Sequence, residues 1–177
     1  GDGLADVVVG NFGQSDQLLE SSCAGTSLTF SPSDLPVPGS GTHYDTSAVV
    51  IAHVDNDLQM DVVIGTYNGA NRLLEYDSVG GFSSSDLVSG PVNMSGFHIV
   101  DLPGSAGDDT RAIAVGDVNG DNSPDIVVGN YGQENQLLYG SCSAAVTPVV
   151  LPGGAKLTTS VALGSLTCGD TAVDIVF

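Results

Sequence analysis

Nine residues, Asp117 to Asp125 (DVNGDNSPD), carry oxygen donors at alternate places. Asp117, Asn119 and Asp121 hold places one, three and five, Asp125 holds place nine, and the backbone carbonyl of Ser123 falls at place seven. Hard oxygens in this number suit a calcium ion, which takes six to eight of them at about 2.3–2.6 Å in a flexible shell. Gly120 and Asn122 tolerate the backbone angles that a loop wrapped on one ion demands. Apolar runs flank the loop, Ala112-Ile113-Ala114-Val115 before it and Ile126-Val127-Val128 after. The unit therefore reads as strand, loop, strand. An EF-hand would need flanking helices and a bidentate Glu at place twelve, where this chain has Val128. The alternative is an Asp-rich turn whose carboxylates cap their own backbone without any ion.

The unit recurs. Residues 46–75 repeat it with His53, Asp55, Asp57 and Asp61 at places one, three, five and nine. The first residues, GDGLADVVVGNFG, enter in mid-loop, with Asp2 at place five and Asp6 at place nine. A last copy, TTSVALGSLTCGDTAVDIVF, has Asp170 and Asp174 but lacks the upstream ligands and carries an inserted residue, so it reads as metal-free. The place-nine aspartates fall at 6, 61, 125 and 174, and a repeat of about 50–60 residues points to a propeller or solenoid. His53 reads as a hydrogen-bonded loop residue instead of a ligand.

Strand signals fill each period. In the third unit they predict strands near 111–116, 125–130, 135–139 and 147–151, and in the second near 47–53, 61–66, 71–76 and 97–100. The first unit reads as a strand over 6–11 covered on both faces, a strand at 17–20, a turn around Ser21 to Gly25, and a strand from Leu28 broken by Pro32. Leu-Pro recurs at 35, 102 and 151, shortly before a Thr that opens the next unit. The expected fold is all-β, with four-stranded antiparallel blades of propeller type and no helix. The ranges are a partial first blade over 1–45, a second over 46–109, a third over 110–156, and the start of a fourth over 157–177. Phe12, Tyr67 and Tyr131 occupy equivalent turns and are expected to pack between blades.

At these residues the chain resembles the FG-GAP/VCBS repeat family, calcium-loop β-propellers to which the integrin α-chain head also belongs. The likeness rests on AIAVGDVNGDNSPDIVVGNYG (112–132), with weaker copies at 1–13 and 50–69. It implies calcium between the first two strands of a blade. In the third loop the implied ligands are Asp117, Asn119, Asp121, the Ser123 carbonyl and Asp125. In the second they are Asp55, Asp57, the Gln59 carbonyl and Asp61, although His53 departs from the acidic first place and Leu58 from the usual glycine. In the first they are Asp2, the Leu4 carbonyl and Asp6.

Composition narrows the function. Twenty-one acidic residues against three basic ones give a formal charge of −18, and the only cations are Arg72, Arg111 and Lys156. That excludes a nucleic-acid footprint and disfavours anionic membrane. Three calcium ions would leave about −12, an acidic, water-facing surface. No apolar run reaches the 18 residues of a spanning helix. Opening on Gly1 without a leader, the chain reads as a trimmed or processed piece. Three cysteines (Cys23, Cys142, Cys168) read either as small buried side chains or, with one left over, as a sign of an oxidising compartment. The sequon Asn93-Met94-Ser95 lies in a polar loop and makes Asn93 a candidate glycosylation site.

No nucleophile elbow, zincin helix or phosphate loop is present, so enzymatic function is not expected. The expected function is an extracellular or cell-surface calcium-binding module for adhesion or for a protein or glycan ligand, with calcium structural. The alternative is a repeat subunit of an extracellular fibre or sheath. Expected partners are further blades or identical subunits, because three blades leave apolar outer faces uncovered. Neither nucleic acid nor membrane insertion is expected.

Overall fold

The computed structural model describes residues 3–35, 45–54, 59–76, 97–140, 148–166 and 173–177. Thirteen strands among them form four antiparallel sheets, each drawn from one stretch of chain, and no helix occurs among the described residues. The first sheet holds β1 (Val7–Val9), β2 (Gln17–Ala24) and β3 (Ser27–Asp34). The second holds β4 (Thr46–Ala52), β5 (Asp61–Thr66), β6 (Arg72–Tyr76) and β7 (Phe97–Asp101) in that order. The third holds β8 (Thr110–Gly116), β9 (Asp125–Asn130), β10 (Gln136–Leu138) and β11 (Val149–Val150). A last pair, β12 (Ala162–Gly164) and β13 (Asp174–Val176), forms the fourth sheet. These are blade-like meanders of the expected type; a closed ring is not part of the described structure.

The blades stack through their middle strands. β5 and β9 are buried along their whole length, as continuous β-branched runs covered on both faces should be. Side-chain alternation sends Val62 and Ile64 towards the first blade, where they pack with Leu35, Leu74, Val8, Leu18 and Val49. Val63 goes the other way, into a larger cluster with Leu73, Ile113, Ile126 and Val128 of the second and third blades.

Glycines set the spacing between blades. Gly10, Gly65 and Gly129 close the equivalent strands, and a Cβ on any of them would strike the first threonine of the following blade. From Gly65 the Thr110 Cγ2 would lie 2.8 Å away, and from Gly129 the Thr158 Cγ2 would lie 2.9 Å away. The same threonines are held by a repeated polar staple. Asp16, Asn71 and Asn135 each accept from a backbone N–H five residues earlier, of Asn11, Thr66 and Asn130. Their other side-chain atom meets the next blade's threonine: Thr46 donates to Asp16, while Asn71 donates to Thr110 and Asn135 to Thr158. Their carbonyls accept from the amides of Leu35, Leu102 and Leu151, the leucines of the recurring Leu-Pro. Between the first two blades Asp16 also pairs with the buried Arg72 at 3.3 Å.

The first blade departs from the sequence expectation in three ways. β2 runs straight through the presumed turn at Ser21 to Gly25 and reverses only at Gly25-Thr26. Its solvent-facing ribbon needs no apolar side chains, because ladder hydrogen bonds are made by backbone alone. Pro32 does not break β3: it lies opposite Leu19 on an edge strand, where a missing N–H is tolerated. β1 is not covered on both faces, since Val7 is 41% exposed. Cys23 is exposed near the hairpin tip, against the first of the two readings given for the cysteines; Cys142 and Cys168 lie outside the described residues.

Gly65→Ala is expected to lower stability by about 1–3 kcal/mol, the usual cost of overpacking a tight contact. Gly164→Ala is the control, because nothing lies within 4 Å of its Cβ position. Urea midpoints read the difference, and equal midpoints would show that the blades can separate at no cost.

Candidate metal centre

The loop between β8 and β9 is built as the sequence implies. Gly120 (φ 79°) and Asn122 (φ 67°) take the left-handed conformation and turn the chain twice within three residues. Asp117 sits at the centre of the turn: its Oδ1 accepts from the amides of Gly120 and Asp121, and its Oδ2 from Asn122. The Asn119 Oδ1 accepts from the Asp121 amide, while its Nδ2 donates to Asp121 Oδ2 at 3.0 Å. Asp121 Oδ1 accepts from the Ser123 amide. These bonds, the Ser123 amide first, hold the Asp121 carboxyl below its ordinary range.

Asp125 does something different. Fully buried, it accepts from the Val118 amide at 2.8 Å with Oδ2 and from the Gly140 amide at 2.9 Å with Oδ1. It thereby ties the start of its loop to the end of β10. Burial pushes its carboxyl above the ordinary value, opposed by the amides of Val118, Gly140 and Asn119. The other place-nine aspartates make parts of the same tie. Asp6 accepts from the Ser21 amide, Asp61 from Val54 and Asp174 from Leu166. The Asp174 bond spans eight residues where those of Asp61 and Asp125 span seven, matching the inserted residue read from the sequence.

The donor set suits a hard divalent cation in kind. It offers two exposed-loop carboxylates, an amide oxygen, the buried Asp125 and the Ser123 carbonyl, with no Lys or Arg among them. Each carboxylate has about four lone-pair positions, and the loop amides take three of those on Asp117 and one of those on Asp121. As they stand, the side chains are turned onto the loop's own amides. No group of three acidic, histidine or cysteine side chains among the described residues converges to metal distance. The self-capping that the Asp-rich turn reading describes is thus present, and it leaves oxygens to spare.

The second loop is only partly described. Asp55 and Asp57 lie outside the described residues, as do Asp2 of the first loop and Asn93. His53 Nδ1 is hydrogen-bonded to the Gln59 carbonyl, one of the oxygens expected to be a ligand, so the histidine is a loop hydrogen-bonding residue as read. Leu4 is at the surface.

A second cluster escaped the sequence reading. The expected packing of the turn aromatics between blades is met in part: Phe12 of the first blade meets Tyr67 of the second, while Phe12 remains 66% exposed and Tyr131 40%. They line one rim, with Phe12 and Tyr67 centroids 5.9 Å apart. The Arg111 guanidinium lies between the two tyrosines, 5.2 Å from one ring and 5.6 Å from the other, and is paired with Asp109 at 2.6 Å. The Asx–Thr staple was missed as well. Its signal was the recurrence of Asp16, Asn71 and Asn135 two residues before each Leu-Leu.

Burial raises the carboxyls of Asp108 and Asp125. A carboxyl raised on folding gives stability that is full below its unfolded value of about 4 and lost as pH climbs through its folded value. In chelator, these two carboxyls are therefore expected to make the urea midpoint fall as pH climbs above about 4; a midpoint unchanged in Asp125→Asn would contradict the assignment.

Against this geometry, residues 110–137 match the FG-GAP repeat family, the stretch from the start of β8 into β10 that contains the whole third loop. No curated protein sequence matches the chain significantly.

Proposed function

We propose that this chain is a calcium-stabilised, propeller-type module of an extracellular or cell-surface protein, serving adhesion or recognition of a protein or glycan. The observation that carries the calcium reading is the third loop, where the FG-GAP repeat match coincides with a doubly left-handed turn bearing Asp117, Asn119, Asp121 and Asp125. Asp117, Asn119, Asp121, the Ser123 carbonyl and Asp125 would hold the ion. When bound, calcium supplies positive charge that offsets the repulsion of three carboxylates within nine residues. Binding is then coupled to folding of the blade and not to any reaction.

The protein's own residues give the module its rigidity. Asp125 fixes where the loop leaves and rejoins the sheet, and the glycine contacts and Asx–Thr staples fix one blade against the next. Recognition would then fall to exposed side chains on a rim, of which Phe12, Tyr67, Arg111 and Tyr131 are the described aromatic and cationic set. No catalytic role is proposed.

Thermal unfolding in EGTA and in millimolar calcium tests this reading. A ligand at a hundred times its Kd stabilises by about 2.7 kcal/mol, which for a chain of this size raises the midpoint by roughly 5–10 °C. Asp121→Ala should abolish the rise while leaving the EGTA midpoint within about 2 °C, because Asp121 is exposed. Equal midpoints in the two buffers, or an undiminished rise in the variant, would refute a structural calcium in this loop.

A further inference from the structure

The β2–β3 hairpin extends well beyond the blade that carries it. β1 pairs with β2 only at Gln17, Leu18 and Leu19, whereas β2 and β3 stay paired out to Ala24 and Ser27. All eight residues of β3 are exposed, among them Leu28 at 57% and Phe30 at 46%. A two-stranded ribbon carrying exposed apolar side chains is marginal by itself and gains from a third strand.

The backbone decides which groups face outward. Ala24 and Ser27 flank a two-residue turn and so form a hydrogen-bonded pair; pairing then alternates to Thr29, Ser31 and Ser33. Leu28, Phe30 and Pro32 have their backbone groups directed away from β2, in agreement with proline at the third of these positions. Among the described residues nothing pairs with that edge. It offers the N–H and C=O of Leu28 and of Phe30, and from Cys23 to Ser33 there is no charged side chain, in a chain of −18.

We propose that β3 pairs antiparallel with β3 of a second copy of this chain about a two-fold axis at Thr29. In that register Leu28 of each copy exchanges two backbone hydrogen bonds with Phe30 of the other, and Pro32, lacking an N–H, stays outside the central pairs. The side chains agree with the backbone: Leu28 and Phe30 project to one face, so each leucine meets the other copy's phenylalanine. Thr29 projects to the opposite face, where it already meets Ser22 at 2.8 Å. Self-complementarity is what selects a second copy as occupant, because the segment satisfies its own donors, acceptors and apolar groups under a two-fold and faces no carboxylate there. The proposal does not depend on calcium. Screening of the remaining acidic surface should make the association tighter as salt rises.

Sedimentation equilibrium over a wide concentration range is the test, with Phe30→Pro and Leu28→Glu as variants. Wild type is expected to dimerise, and both variants, altered only at exposed edge positions, to keep its circular dichroism and sediment as monomers. A cysteine scan fixes the register. Residues paired across a two-fold at a non-hydrogen-bonded site are about 4.5 Å apart at Cα, within disulfide reach. Thr29→Cys should therefore cross-link under mild oxidation, in a Cys23→Ser background, and Ser31→Cys should not. A wild-type monomer at every concentration, a dimer that survives both edge variants, or cross-linking at position 31 in preference to 29 would overturn the proposal.

Discussion

The place-nine aspartate, buried in the second and third blades, is the interaction on which the meanders depend. A carboxylate without a cationic partner is costly in a sheet interior unless backbone N–H groups solvate it. Asp125 meets that demand by drawing in two amides that the meander would otherwise leave unpaired, one where the loop begins and one where the third strand ends. Asp61 is buried in the same way and takes the Val54 amide, while the exposed Asp6 and the half-buried Asp174, in the last copy whose loop lacks the other ligands, each keep one amide of the tie. The aspartate therefore has a folding role in every unit, and an ion-binding role can be added only where places one, three and five are also supplied.

That separation explains how one repeat can diversify. The staple from Asp16, Asn71 or Asn135 to the next blade's threonine, with glycine beneath it, joins neighbours without reference to the loop. Blades can thus stack whatever residues their loops carry. In the second loop His53 takes the Gln59 carbonyl as its own hydrogen-bond partner.

Much of this was legible in the sequence. The strands of the second and third units fall where β-branched runs and turn residues place them, because burial on both faces leaves few residue types acceptable in β5 and β9. Gly120 and Asn122 were identifiable as left-handed positions because few other residues adopt that conformation without strain. The β2–β3 ribbon was not legible: Ser21 to Gly25 has the composition of a turn, and solvent-facing ladder residues leave no apolar pattern to detect. The staples were hidden by distance, since the intervals from Asp16, Asn71 and Asn135 to their threonines are 30, 39 and 23 residues. Variable outer loops change those intervals while the contact stays constant. The turn aromatics were legible only in part for a related reason: equivalent positions in a repeat share a location, which brings Phe12 to Tyr67 across two blades, but nothing in their spacing says how far that location is covered.

The most direct measurement of the central claim is amide hydrogen exchange of the intact chain, with and without calcium, resolved over residues 117–125. An ion held by Asp117, Asn119, Asp121, Ser123 and Asp125 should slow exchange at the Gly120, Asp121, Asn122 and Ser123 amides, whose present bonds are solvent-exposed, by at least tenfold, while leaving the Val118 amide, held by the buried Asp125, little changed. Exchange in the loop that is indifferent to calcium would show that the aspartates serve only their own backbone.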